Sequence, residues 1–374
     1  MRARFTLVGM SLAFAIASSF HCTSEAQGDS DTKKAKKQGP PPELVLEPRG
    51  ETPPVPGDAD DCAIWVHPTN PALAIVIGTD KKKTPDPGLR VWTFAGDEIQ
   101  FLPVARPNNV DVRSGMRLGG ETIDIAVCNA RGTRELRVFR IDPKTATLTD
   151  VTTPNGIPTP ELADPYGLCL YRRPRDGAMF VIASTQEGTT DRLYQYRIED
   201  DGSGHVRGKL VRTIGDGTIV GYVEGLMADD ELGWVYAADE DQAVRKYHAD
   251  PDSASAQVSA FATADIVGDR EGLGIYDCGG GRGWILLSSQ GDGTVKVYRR
   301  EGEPGDRHQH PLVATLGTRG SRSTDGLDVT SRACPPQFPA GLIAKHDSKG
   351  RNFVLYSWAD ALPLLPCAPA DRRP

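Results

Sequence analysis

Glu224-Gly225-Leu226 and Glu271-Gly272-Leu273 are two copies of one short element, in which an acidic residue leads through glycine into a small apolar strand. With variation it recurs as Asp61-Cys62-Ala63-Ile64, Asn109-Val110-Asp111-Val112, Tyr166-Gly167-Leu168 and Asp325-Gly326-Leu327. A second element interleaves with it, a β-run ending in an aromatic residue and a polar turn. Its copies are Val91-Trp92-Thr93-Phe94, Val138-Phe139-Arg140-Ile141, Tyr194-Gln195-Tyr196, Arg245-Lys246-Tyr247, Val295-Lys296-Val297-Tyr298 and Phe353 to Trp358. Their starts lie 47, 56, 51, 50 and 58 residues apart. Six copies of each element at similar spacing predict six four-stranded units. One such unit exposes a face and two edges, whereas a closed ring of them buries faces and protects edges. Small residues suit the innermost strand, where the units converge. The acid-Gly-Leu element then places one polar side chain per unit at the same axial end. Glu-Gly and Asp-Gly are also common turn dipeptides, and turns alone explain one or two such pairs.

The rest of the chain agrees with an all-β reading. No stretch of a dozen residues holds a clean helical period. Short runs rich in Val, Ile, Tyr and Trp, such as Ala74–Gly78, Arg90–Phe94, Ile123–Val127, Met179–Ala183 and Trp284–Ser288, are separated by Gly, Asp and Asn.

At the start, Arg2 and Arg4 precede an apolar stretch from Phe5 to Phe20, and Ser24-Glu25-Ala26 has the small-x-small form of a cleavage site. We read residues 1–26 as an export signal, with lipidation at Cys22 as an alternative, and 27–50 as a solvated tether. The protein is therefore expected to be exported, secreted or periplasmic, with no membrane span. The repeat domain is expected over 51–360, with 361–374 as a tail. The formal charge is −7; losing Arg2, Arg4 and Glu25 with the signal leaves −8. Such a chain is a poor nucleic-acid binder, and it repels a polyanionic substrate unless cations sit between them. Without Cys22 there are six cysteines; Cys334 and Cys367, which flank the last strand, are the preferred pair, and small buried thiols the alternative.

Asp58-Ala59-Asp60-Asp61-Cys62-Ala63-Ile64-Trp65-Val66-His67-Pro68 closely resembles the Asp-Asp-Pro-Ala-Ile-Trp signature of the β-propeller phytases. Gly78-Thr79-Asp80-Lys81-Lys82, Asn108 to Arg113, Pro165 to Leu168, Ala228 to Gly233, Glu271-Gly272-Leu273, Ser288 to Gly291, Thr324 to Val329 and Asn352 to Trp358 follow in that family's order. The resemblance spans about Glu51 to Trp358. It implies a six-bladed β-propeller of four-stranded antiparallel blades, acting as a monomeric 3-phytase-type phosphoric monoester hydrolase on phytate or related phosphate esters. It also implies several Ca²⁺ ions at an acidic mouth and direct attack by a metal-bound water.

Carried over residue by residue, the resemblance gives Glu51, Asp60, Asp61, Glu187, Glu224, Glu240, Asp269, Glu271 and Asp325 as metal ligands. Glu187, Glu224, Glu271 and Tyr166 serve catalysis, and Lys81, Lys82, Arg131, Tyr166 and Gln186 serve substrate binding. The chemistry is coherent, because Ca²⁺ wants roughly six to eight oxygens, and the filled site offsets phosphate charge. Asp229, Asp230 and Glu231 are assigned to a solvated surface or a structural Ca²⁺ loop. Three positions depart from the pattern. Cys62 stands at a proline, Gln186 stands at a substrate-binding lysine, and Asn129-Ala130-Arg131 replaces an Asn-Arg pair. A one-residue shift within a strand turns a side chain to the other face, so Arg131 is either the shifted phosphate ligand or no ligand.

Other phosphatase signatures fail. Cys128 to Arg134 has the Cys-x5-Arg spacing without the flanking His and Ser or Thr, and Arg307-His308-Gln309-His310 lacks the Gly and second Arg of a histidine acid phosphatase. Serine-hydrolase, zincin and P-loop motifs are absent. Two alternatives remain: another Ca²⁺-dependent propeller hydrolase such as a lactonase, and a non-catalytic binding scaffold. Lys81-Lys82 speaks against the first and the retained acids against the second.

Overall fold

The computed structural model describes residues 39, 41–83 and 85–367. The export signal, Cys22 and most of the expected tether lie outside the described residues. Six antiparallel sheets follow one another along the chain. The first blade is Ala59–Trp65, Ile75–Asp80, Gly88–Thr93 and Glu98–Pro103. The second is Pro107–Leu118, Glu121–Ala130, Glu135–Ile141 and Leu148–Asp150, with Ile157–Pro158 on its edge. The third is Pro165–Arg172, Met179–Thr185, Leu193–Asp200 and Val206–Ile214, and the fourth is Val223–Asp229, Trp234–Asp239, Ala243–His248 and Ser259–Phe261. The fifth holds Arg270–Gly279, Arg282–Ser289, Thr294–Arg299 and Leu312–Thr318; the sixth holds Leu327–Thr330, Leu342–Asp347 and Asn352–Ser357. The acid-Gly-Leu elements open the first strands and the aromatic-ended runs are the third strands, as the repeat predicts.

Apolar faces of adjacent blades form the core. Val127 and Val138 of the second blade, for example, pack with Leu168 and Val181 of the third, all fully or almost fully buried. The sixth blade meets the first where the Ile64 N–H donates to Asp328 Oδ2 at 2.7 Å.

The ring is closed by the start of the domain. Pro48–Glu51 pairs antiparallel with Asn352–Ser357 and supplies the outermost strand of the sixth blade. Leu44–Leu46 adds a parallel fifth strand to the fifth blade. The expected tether therefore ends earlier than residue 50, because Leu44–Leu46 and Pro48–Glu51 are strands. Prolines and charges hid them, and both suit an exposed edge strand. The expected tail is also corrected, since Ala361 and Leu365 are fully buried and Cys367 forms a disulfide with Cys278. That overturns the Cys334–Cys367 pairing: Cys334 is a free buried thiol, as are Cys62, Cys128 and Cys169. Cys278 lies in the hairpin joining the first two strands of the fifth blade, a neighbour that sequence distance does not reveal.

Two local devices aim the inner strands. In five blades the pairing shifts register at the start of the first strand, between Ala59 and Cys62, Pro107 and Val110, Pro165 and Leu168, Val223 and Leu226, and Arg270 and Leu273. The skipped residues are Asp60-Asp61, Asn108-Asn109, Tyr166-Gly167, Glu224-Gly225 and Glu271-Gly272. A bulge frees side chains from the ladder and re-aims them. The glycines also permit close approach, because a Cβ on Gly225 would lie 1.9 Å from the Glu271 carbonyl oxygen, and one on Gly326 would lie 2.3 Å from Asp61 Oδ1. The second device is a polar residue at or next to the end of each second strand. Asp80, Asn129, Thr185, Asp239, Ser289 and Asp347 accept backbone N–H bonds from the segment entering their own blade, at Asp58, Asn108, Asp164, Val220, Val267 and Arg322 respectively.

Candidate metal and phosphate site

Because the bulges lie at one end of the ring, their side chains meet there. Ligand oxygens of Glu224, Glu240 and Glu271 lie within 4.8 Å of one another. Glu224 and Glu271 are buried, and Glu240 is half-buried. Asp60 joins from the first blade and Asp325 from the approach to the sixth. Gln290 Nε2 bridges this side, donating to Asp325 Oδ1 at 2.7 Å and to Glu271 Oε1 at 3.3 Å.

Glu224 is gripped from two further blades. The Tyr166 hydroxyl donates to its Oε2 at 2.7 Å and Asn108 Nδ2 to its Oε1 at 2.5 Å. Lys81 donates to Asp60 and its nitrogen lies 3.9 Å from Asp325. His346, itself buried, accepts the Asp325 N–H through Nδ1 at 3.1 Å.

So many acids in little water shift each other's proton affinities. Burial, then the Glu224 charge, raises Asp60 well above the usual carboxylate range, against the pull of Lys81. Burial and the charges of Glu224, Glu240 and Asp325 do the same to Glu271. Glu240 is pushed up to about 7 by burial and Glu224. Burial raises Asp61 as well, opposed by the Val110 N–H bond, and burial with Asp241 and Asp325 raises Asp269. Burial works against the Lys81 charge, but Asp60, Glu224 and Asp325 hold that ammonium above the ordinary lysine value. Burial and Glu224 raise the Tyr166 hydroxyl, which stays protonated and remains a donor.

Beside the acids lies a cationic element. Arg131 is 8% exposed. Its Nε donates to Asp164 Oδ1 at 2.8 Å and its amino groups donate to Asn108 Oδ1 at 2.6 Å and Gln186 Oε1 at 2.7 Å. Its guanidinium also sits 5.5 Å from the centre of the Tyr166 ring. The one-residue shift does not turn it away, because the strand ends at Ala130 and alternation no longer governs the turn that follows.

Among the sequence-selected residues, the structure gathers Asp60, Glu224, Glu240, Glu271, Asp325, Lys81, Tyr166, Arg131 and Gln186. Asp61 stands just inside, its Oδ2 accepting the Val110 N–H at 3.1 Å. Asp269 is half-buried on the rim near Asp325, while Lys82 and Glu187 are exposed. Glu51 is not brought to the cluster, because it lies exposed on the outer strand of the sixth blade. Asp229, Asp230 and Glu231 lie at the opposite end of their strand, engaged by Arg300 and Arg113. Asn108, Gln290 and Asp164 were given no role from sequence, although the first two stand in the quoted motifs. A neutral amide carries no charge signal, so only its contacts reveal it.

Within this cluster, the buried carboxylate oxygens Asp60 Oδ2, Glu240 Oε1 and Glu271 Oε2 have no hydrogen-bond partner among the described residues. Burying such atoms costs free energy unless something compensates, and the donors present are hard oxygens of the kind that suit Ca²⁺ or Mg²⁺.

The phytase family model matches residues 23–354. The 3-phytase of Bacillus subtilis (strain 168) is 36% identical over 314 residues, covering 80% of this chain and 79% of that protein. A crystal structure of a protein from Lactobacillus plantarum superposes with a TM-score of 0.50 at 15% identity, covering 80% of each chain, a likeness of fold alone.

Proposed function

The chain belongs to the phytase family and is a phosphoric monoester hydrolase; on that premise we propose that it removes phosphate from phytate, with Ca²⁺ ions held at the acidic mouth and water as the direct nucleophile. The observation that carries the reading is the set of partnerless buried oxygens on Asp60, Glu240 and Glu271 beside Glu224 and Asp325. These residues would hold the ions. Bound there, calcium supplies positive charge that offsets that of the ester and makes water a better nucleophile.

The chain's own residues do the positioning. Tyr166 and Asn108 fix both oxygens of Glu224. Gln290 ties Glu271 to Asp325, so acids from different blades keep one spacing. Arg131 presents an always-charged guanidinium at the edge of the acids, oriented by Asp164. Lys81 is the second cation within reach of a bound phosphate. Residues 1–26, read as an export signal, would deliver this activity outside the cytoplasm.

The test is phosphate release from phytate. Activity should vanish with a calcium chelator and return when Ca²⁺ is restored. Release that chelation leaves untouched would overturn the calcium-dependent mechanism.

A further inference from the structure

Asp325 reaches the mouth by a different device from the acids of the other blades. In the first five blades the presented residue sits in a register shift at the start of the first strand. The sixth blade has no such shift. Leu327 pairs with Lys345 and Thr330 with Leu342 in regular order, and Asp325 lies before the strand, outside the ladder. Register also identifies the residue standing behind each presented side chain. It follows the partner of Cys62, Val110, Leu168, Leu226, Leu273 or Leu327, and is Thr79, Asn129, Ser184, Ala238, Ser288 or His346 in turn. Five of these are short side chains, and the sixth is an imidazole. Thr79 and Ser184 accept the next amide along, from Asp61 and Gly167. The longer histidine reaches the amide of the acid itself, its Nδ1 accepting the Asp325 N–H at 3.1 Å. Its main chain holds the same loop. The His346 N–H donates to the Gly326 carbonyl at 3.0 Å, and the His346 carbonyl accepts the Ser321 hydroxyl at 2.7 Å. Because Nδ1 accepts, the ring proton sits on Nε2. Nε2 is buried with no hydrogen-bond partner among the described residues. Leaving a buried donor unpaired costs free energy, so packing alone does not favour a histidine here.

We propose that His346 is a positioning residue, which fixes the backbone of Asp325 so that its Oδ2 is presented to a cation at the mouth. The proposal rests on the reading of the acidic mouth as the ion site. Every other polar group of Asp325 is already bonded. Its N–H goes to His346, its carbonyl accepts the Gly272 N–H at 2.7 Å, and Oδ1 accepts Gln290 Nε2 at 2.7 Å. Oδ2 faces the Lys81 ammonium at 3.9 Å, on the side where positive charge collects. Without a bulge, the His346 ring replaces the strand ladder as the anchor of this amide. Partners that orient a ligand from behind typically contribute about 10–100-fold to metal affinity.

The experiment is calorimetric Ca²⁺ titration of the full chain without substrate. His346→Leu should weaken binding about 10–100-fold. His346→Asn, whose Oδ1 takes the place of Nδ1 as acceptor, should stay within about threefold of wild type. His346→Gln, whose amide reaches the place of Nε2 instead, should lose affinity as leucine does, and it keeps the site polar should the leucine variant not fold. In an Asp325→Ala background, replacing His346 by leucine should weaken binding no further, a coupling that a merely structural histidine does not produce. Wild-type affinity in His346→Leu, or the same affinity in the asparagine and glutamine variants, would overturn the proposal alone. A wild-type chain that binds no Ca²⁺ is a separate result, which overturns the mouth as an ion site and this proposal with it.

Discussion

Lys81 donates its ammonium to Asp60 inside the acidic mouth, although sequence comparison reads Lys81 as a residue for substrate. The same nitrogen lies 3.9 Å from Asp325. Lys81 therefore stands where positive charge is most needed when no metal ion is bound, and it offsets part of the repulsion among the acids.

Replacing Lys81 by Met should separate those roles. Asp60 is fully buried and would lose its only ion-pair partner among the described residues. Breaking a buried pair costs about 3–5 kcal/mol, and the partial exposure of Lys81 lowers the expectation to about 1–3 kcal/mol of metal-free stability. Calcium should bind more tightly, because a competing cation is gone. Thermal unfolding in chelator and calorimetric Ca²⁺ titration test both. Unchanged metal-free stability with weaker calcium binding would show that Lys81 does not act as a counter-ion.

Tyr166→Phe keeps the ring and removes one oxygen. The lost bond reaches a carboxylate at 2.7 Å, and hydrogen bonds to charged groups contribute about 1.5–3 kcal/mol. The expected fall in kcat/KM on phytate is about 10–100-fold, with the fold intact by circular dichroism. A value within about twofold of wild type would remove Tyr166 from the catalytic machinery.

The acids make metal-free stability depend on pH. Glu240 titrates near 4.5 when unfolded and about 7 when folded. Below the unfolded value both states are protonated; between the two values the folded state keeps a proton the unfolded chain has lost. Its stabilising contribution is thus full at low pH and is lost as pH rises through about 7, and Asp60 and Glu271 shift in the same direction. In chelator, the melting temperature of the wild type should fall more between pH 5 and pH 8 than that of Glu240→Gln. Calcium binding near pH 6 should release protons, which calorimetry in buffers of different ionisation enthalpy measures. No proton release would mean these carboxyls are already ionised.

Deleting everything before Thr52 removes the outer strand of the sixth blade and the extra strand of the fifth. It also leaves the edge of Asn352–Ser357 unpaired, a template for association. We expect a lower melting temperature and rising light scattering, whereas deletion up to residue 38 should change neither. A chain starting at Thr52 that melts with the full protein would show that closure does not need these strands.

Sequence alone determined the blade count and the place of the acids. A glycine with a neighbouring carbonyl 1.9 Å from where its Cβ would sit cannot readily be replaced, and a third strand must bury its aromatics, so the glycine marks four of the six repeats, at Gly167, Gly225, Gly272 and Gly326, and the aromatics mark all six. Glu224, Glu271 and Asp325 were legible because they precede such glycines, and Tyr166 for the same reason. Only the tertiary structure decided the rest. Glu51 carries the right charge but lies on an outer edge. Arg131 reaches the site because its strand stops one residue earlier, and Cys367 finds Cys278 across 89 residues. Residues 48–50 read as tether because an edge strand needs no apolar pattern. The physical reason is common to all of these. Local sequence records what a residue's own strand requires, whereas charge pairing, closure and crosslinking depend on which distant strand arrives beside it.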